Sequence, residues 1–318
     1  MMRCMSLLIL VLMISSPLVF SADSERTQLF HHLYDIAQTA TTTASSWRLE
    51  NLKVQTQVPL VGNVEIRAGY FQESLTVPFR GNILYLEGLG DSFLNHNPLF
   101  AHLSSLGYRV IAFDYQGQGG SSGTMNHTRI LDKIYPALQI STLAQKVWDR
   151  FIRRDGIEEK IVLGWSTGGL AAYEMAASGK ADRVILIAPG IVPRLVVGKF
   201  MKITLATLTR AHYAKHNDPH VDPIRPDSPM KAPLFAMNLI KTSMQSRGWE
   251  ISQNVKGLVF LGGAEDRYVV SGKTQKVLQK MASHFRIVQF PDAYHEIDNE
   301  IPKIRDQVHK EIEAFLSK

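Results

Sequence analysis

One cysteine, Cys4, occurs in the 318 residues, and it stands ahead of an apolar segment near the N-terminus. Once such a segment is removed as a leader the chain has no thiol, which excludes a disulfide framework, a thiolate metal site and a cysteine nucleophile. Runs of like charge are lacking as well. The net charge of +6 is spread over scattered lysines and arginines, which reads as solvated surface and not as a nucleic-acid-binding face. There is no internal repeat and no low-complexity tract. With 45% hydrophobic and 20% charged residues, the chain is long enough to stand on its own core without cross-links. The apolar run at residues 7–14 is too short to serve as a bilayer span, which takes about 20 residues.

That run has a different reading. Arg3 precedes it, Ser15, Ser16 and Pro17 follow it, and Val19 and Ser21 occupy the small-residue positions of a cleavage site. The order is that of a signal peptide over residues 1–21, cut after Ser21, so that residues 22–318 are expected to fold outside the cytoplasm, in the periplasm or as a secreted protein.

Residues 25–40 carry Leu29, Leu33, Ile36 and Ala37 at helical spacing. From Trp47 to Phe79 the pattern alternates, as in Leu49, Leu52 and Val54 and then Val64, Ile66 and Ala68, which predicts antiparallel strands joined by turns. Short continuous apolar runs follow at residues 82–86, 110–113, 160–163, 184–188, 258–261 and 287–290, each ending in a small, polar or glycine-rich turn. Strands buried on both faces read this way. Helical patterns over 98–106, 141–154 and 168–177 lie between them, so the architecture predicted is α/β, a mostly parallel doubly wound sheet. The alternation breaks at about residues 191–253, where a helical segment over 195–210, a proline-broken passage and a second helical segment over 235–245 make up a cap insertion.

Gly164-Trp165-Ser166-Thr167-Gly168 matches G-x-S-x-G between a buried run and the start of a helix, as a strand-elbow-helix nucleophile requires. A serine hydroxyl needs a base, and the base needs an orienting acid, in the chain order Ser, acid, His. Asp266 follows the run at 258–261 and Gly262-Gly263; Glu265, Asp292 and Asp298 compete with it. His295 follows the last run, whereas His212, His216 and His220 fall among the prolines of the insertion without paired carboxylates and read as surface. Thr167 and Leu89, the latter between Gly88 and Gly90, are the candidate backbone donors for an oxyanion. The turn at Glu87-Gly88-Leu89-Gly90 lacks the lysine and the glycine spacing of a nucleotide phosphate loop.

These segments, with Phe113-Asp114-Tyr115-Gln116-Gly117-Gln118-Gly119-Gly120-Ser121-Ser122, Gly263-Ala264-Glu265-Asp266-Arg267 and Ala293-Tyr294-His295-Glu296, resemble the α/β-hydrolase branch that holds monoacylglycerol lipases, bacterial lysophospholipases and related serine hydrolases. The resemblance runs from about Gly81 to the C-terminus. It implies the α/β-hydrolase fold with a helical cap, a Ser166, Asp266 and His295 triad, and oxyanion donors at Leu89 and Thr167. It further implies cleavage of an acyl ester or lipid through an acyl-enzyme, with no metal or organic cofactor. The apolar run at Ile191, Val192, Leu195, Val196, Val197, Phe200, Met201, Ile203 and Leu205 predicts a cap helix that buries more than one face, either through transient membrane-surface contact or by packing against the second cap segment. An aminopeptidase, amidase or thioesterase on the same triad is the alternative, and a non-catalytic binding protein the more distant one. The turn over residues 114–122 looks like a structural loop without chemistry. Family members often have His-Gly where this chain has Glu87-Gly88, which puts an acidic group beside the oxyanion loop.

Overall fold

The computed structural model describes residues 46–55, 63–72, 77–123, 139–154, 159–194 and 233–318. The leader, the helix over 25–40, the first cap helix and His212, His216 and His220 lie outside them. The described residues carry one eight-stranded sheet in the order β1-β2-β4-β3-β5-β6-β7-β8. β1 (Trp47–Gln55) and β2 (Asn63–Phe71) pair antiparallel, Trp47 against Phe71, and β2 runs antiparallel to β4 (Tyr108–Phe113). From β4 onward every pairing is parallel, through β3 (Gly81–Leu86), β5 (Ile161–Trp165), β6 (Arg183–Ile187), β7 (Lys256–Leu261) and β8 (Arg286–Gln289).

The doubly wound character follows from how strand residues are divided between two cores. Leu84, Leu86, Ile111 and Phe113 face one core, with α2 (Gln139–Phe151), α3 (Thr167–Ala177) and Leu278 of α5 (Ser271–Met281). Their neighbours Ile83, Tyr85, Val110 and Ala112 face the other, with α1 (Asn97–Ser105) and α6 (Pro302–Leu316). A strand covered on both sides has no polar face to show, which is why these segments read as unbroken apolar runs. Each such buried Leu, Ile or Phe contributes roughly 1.5–3 kcal/mol. The second helical segment expected in the insertion is α4 (Pro233–Ser246), tied to the core where the Ser243 hydroxyl donates to the Ile191 carbonyl at 2.9 Å.

The chain leaves β3 toward α1 on one face and leaves β5 toward α3 on the other, although the two strands are neighbours. A crevice opens at the carboxyl ends of strands wherever consecutive connections diverge in this way. Leu89 follows β3, and Ser166 and Thr167 follow β5, so all three stand at that point.

Candidate active site

Ser166 sits between β5 and α3 with φ 55° and ψ −112°, a left-handed conformation that a side-chain-bearing residue adopts only where its surroundings impose it. The glycines impose it by letting the turn close: a Cβ on Gly164 would lie 2.3 Å from the Gly168 carbonyl oxygen, and one on Gly168 would lie 2.0 Å from that of Leu86. The elbow is pinned by the Ser166 N–H donating to Ile187 and by its carbonyl accepting from Leu170 and Gly190. The hydroxyl is thereby presented, half-buried, at the carboxyl edge of the sheet and beside the N-terminus of α3.

Three loops converge there. The Ser166 hydroxyl lies 2.8 Å from Nε2 of His295, and Nδ1 of His295 lies 3.1 Å from Oδ2 of Asp266. The other carboxylate oxygen of Asp266 accepts from the N–H groups of Tyr268 and Val269 at 2.8 and 2.9 Å. Burial pushes the Asp266 carboxyl up, but the His295 ring and those two N–H groups outweigh it and hold the group below its usual range. Asp266 is therefore ionised and accepts only, which places the proton of a neutral His295 on Nδ1 and leaves Nε2 to accept from the serine. His295 is held from behind by Trp165, whose indole N–H donates to the His295 carbonyl at 3.0 Å. The competing acids are elsewhere: Glu265 and Asp292 are exposed, and Asp298 is engaged with His96.

The Leu89 and Thr167 amides, both at the crevice, donate no hydrogen bond among the described residues. Gly88 has to be a glycine, because a Cβ there would lie 2.3 Å from the Trp165 ring. Glu87 is the acidic residue next to that glycine. Its side chain is fully buried and accepts from Gln118 Nε2 at 2.8 Å. Burial, and then the charge of Asp114, pushes its carboxyl well above the usual range. The 114–122 turn packs under the oxyanion loop as a structural support. Anchored by the Asp114–Arg67 ion pair, it delivers Gln118 and Tyr115 to the carbonyl of Gly88.

A second polar centre, which sequence reasoning missed, lies beneath Trp165. His96 bonds Asp298 through Nδ1 at 2.6 Å and Asp91 through Nε2 at 2.8 Å, and its ring lies tilted by 51° to that of Trp165, with centroids 5.4 Å apart. Asp91, His96 and Glu296 bring ligand-type atoms within 4.8 Å of one another. Both His96 nitrogens are already committed to carboxylates, and although burial lowers its pKa, the two aspartates raise it to about 10. The imidazolium itself supplies the positive charge that a metal would bring.

The fold and the family can be set beside known proteins. A monoacylglycerol lipase from Paleococcus ferrophilus superimposes with a TM-score of 0.58 at 20% identity, over 85% of this chain and 98% of that one. A soluble variant of monoglyceride lipase from Saccharomyces cerevisiae gives 0.62 at 18% identity, over 87% and 96%. A carboxyl esterase from Bacillus coagulans gives 0.57 at 16% identity, over 85% and 98%. Likeness at this identity concerns the fold, which is that of the α/β hydrolases. No curated protein sequence matches. The model of the serine aminopeptidase S33 family matches residues 78–302, which contain Leu89, Ser166, Thr167, Asp266 and His295, and the chain belongs to that family of α/β hydrolases.

Proposed function

We propose that the protein is a serine hydrolase that cleaves carboxylic esters by an acyl-enzyme route, with Ser166 as nucleophile, His295 as general base and acid, and Asp266 as the group that orients the ring. The observation that carries this reading is the unbroken contact from Ser166 through His295 to Asp266, built from loops after β5, β8 and β7. Ser166 Oγ attacks the carbonyl carbon as His295 Nε2 takes its proton, and the N–H groups of Leu89 and Thr167 hold the oxyanion. His295 then gives the proton to the departing alcohol, and water, activated by the same nitrogen, returns the acid and free Ser166. No cofactor enters any of these steps. The lipase and esterase relatives in fold support an acyl ester or lipid as substrate, and the cap insertion supports transient contact with a lipid surface. Export behind the 1–21 leader belongs to the same reading and is supported by residue order.

The family's description favours a second reading, an aminopeptidase, in which the leaving group is an amine. The test sets p-nitrophenyl and monoacylglycerol esters against aminoacyl anilides. Ester turnover that disappears in Ser166→Ala, by several orders of magnitude, is expected. Turnover of the anilides alone would give the aminopeptidase reading, and undiminished turnover by Ser166→Ala would end the nucleophile assignment.

A further inference from the structure

The carbonyl of Gly88 and the N–H of Leu89 belong to one peptide unit, and a planar trans peptide points them in opposite directions. Whatever grips the carbonyl therefore aims the N–H. Two buried side chains from the 114–122 turn grip it: the Tyr115 hydroxyl donates at 3.1 Å and Gln118 Nε2 donates at 3.0 Å. The Gln118 amide oxygen reaches past Leu89 to accept from the N–H of Gly90 at 2.7 Å, so the next peptide is pinned by the same side chain. The remaining Nε2 hydrogen goes to Glu87 Oε1 at 2.8 Å. One amide thus spans residues 87 to 90 with all of these bonds made, while the Leu89 N–H donates no hydrogen bond among the described residues.

We propose that Gln118 and Tyr115 are positioning residues that aim the Leu89 N–H at the oxyanion by holding the opposite side of its peptide plane. The proposal rests on the reading of Ser166 as nucleophile. Only a primary amide meets the demand at residue 118, since a carboxylate has no donors for Gly88 and Glu87, and an ammonium or guanidinium has no acceptor for Gly90. The turn itself is fixed from below. Asp114 accepts from the Gly120 N–H at 2.8 Å, and Gly119 adopts φ 45° where a Cβ would lie 2.3 Å from Asp114 Cγ. Rigid support of a donor matters most in the transition state, when the carbonyl oxygen gains charge, and little in the ground state.

Loss of the grip should therefore fall on kcat. Gln118→Leu is expected to lower kcat roughly ten- to a hundred-fold while KM stays within about three-fold, and to weaken a trifluoromethyl ketone, which forms the tetrahedral oxyanion on Ser166, by the same factor as kcat. Tyr115→Phe keeps the ring and its packing and removes one of the two bonds. It should lower kcat roughly three- to ten-fold with the same pattern. If Gln118→Leu does not fold, Tyr115→Phe decides. A folded Tyr115→Phe or Gln118→Leu protein with wild-type kcat and wild-type ketone affinity, even at a lower Tm, would mark a merely structural role and overturn the proposal. A wild-type protein inert toward both ester and ketone would overturn the nucleophile reading, and the proposal with it.

Discussion

Asp266 is a buried carboxylate kept charged by three donors, one of them the imidazole it orients. Replacing it with Asn keeps the shape but offers a donor where His295 Nδ1–H needs an acceptor, so the ring turns to the wrong tautomer. Asp266→Asn is expected to lower kcat by roughly three to four orders of magnitude, whereas Glu265→Gln, on an exposed side chain next door, should stay within about two-fold. The reverse ranking on any turned-over ester would move the acid by one position. His96 gives the second prediction at this scale. Its pKa in the fold is about 10 against an ordinary value near 6.5, so the folded state binds the proton more tightly than the unfolded chain. The stability this supplies is complete below about pH 6.5 and is lost as pH rises toward about 10. Nitrogen-15 shifts of the His96 ring should show the imidazolium well above neutral pH, and a neutral ring at about pH 8 would contradict the network described.

Among the elements, the central strands were legible because a parallel strand covered on both faces has no option but an apolar run. Their ends were less so. β6 begins at Arg183 and β7 at Lys256, one or two residues before the apolar runs, because polar side chains can close a strand end: Arg183 donates to Glu159 at 2.6 Å and lies over the Phe315 ring. Ser166 and Asp266 could be read from the sequence since each follows a buried run on a short loop, and His295 since it follows the apolar run of the partly exposed edge strand β8. Gln118 could not, because its partners are 28 to 31 residues away, nor could the His96 network, which needs Asp298 from 202 residues away as well as the nearby Asp91. The elbow supplies the prediction for this scale. Gly168→Ala puts a methyl 2.0 Å from a backbone oxygen of β3, and is expected to destabilise the fold by roughly 3 kcal/mol or more. Gly272→Ala, in α5 with nothing within 4 Å, should be neutral or stabilise by up to about 1 kcal/mol. Urea midpoints of the two variants decide, and equal midpoints would mean that α3 does not pack against β3 as described.

At the scale of the whole molecule, the sheet presents the site, and the insertion expected over about residues 191–253 is proposed to govern what reaches it. The stem of that insertion is stitched to the loop carrying Asp266: Arg194 Nε donates to the Asp266 carbonyl at 2.7 Å, and Val270 N–H donates to the Val192 carbonyl at 2.8 Å. A cap rooted beside the acid, with an apolar first segment, leads to a preference for medium or longer acyl chains and a response of kcat/KM to vesicles. Acetate preferred over longer chains, with no vesicle effect, would remove the lipid-facing role and leave the triad intact. The triad is the centre of the account, and covalent labelling reads it most directly. After treatment of the folded protein with a fluorophosphonate, mass spectrometry of the peptides should find one adduct, on Ser166, absent from Ser166→Ala and strongly slowed in an alanine variant of His295. An adduct on another residue, or labelling that persists in Ser166→Ala, would contradict it.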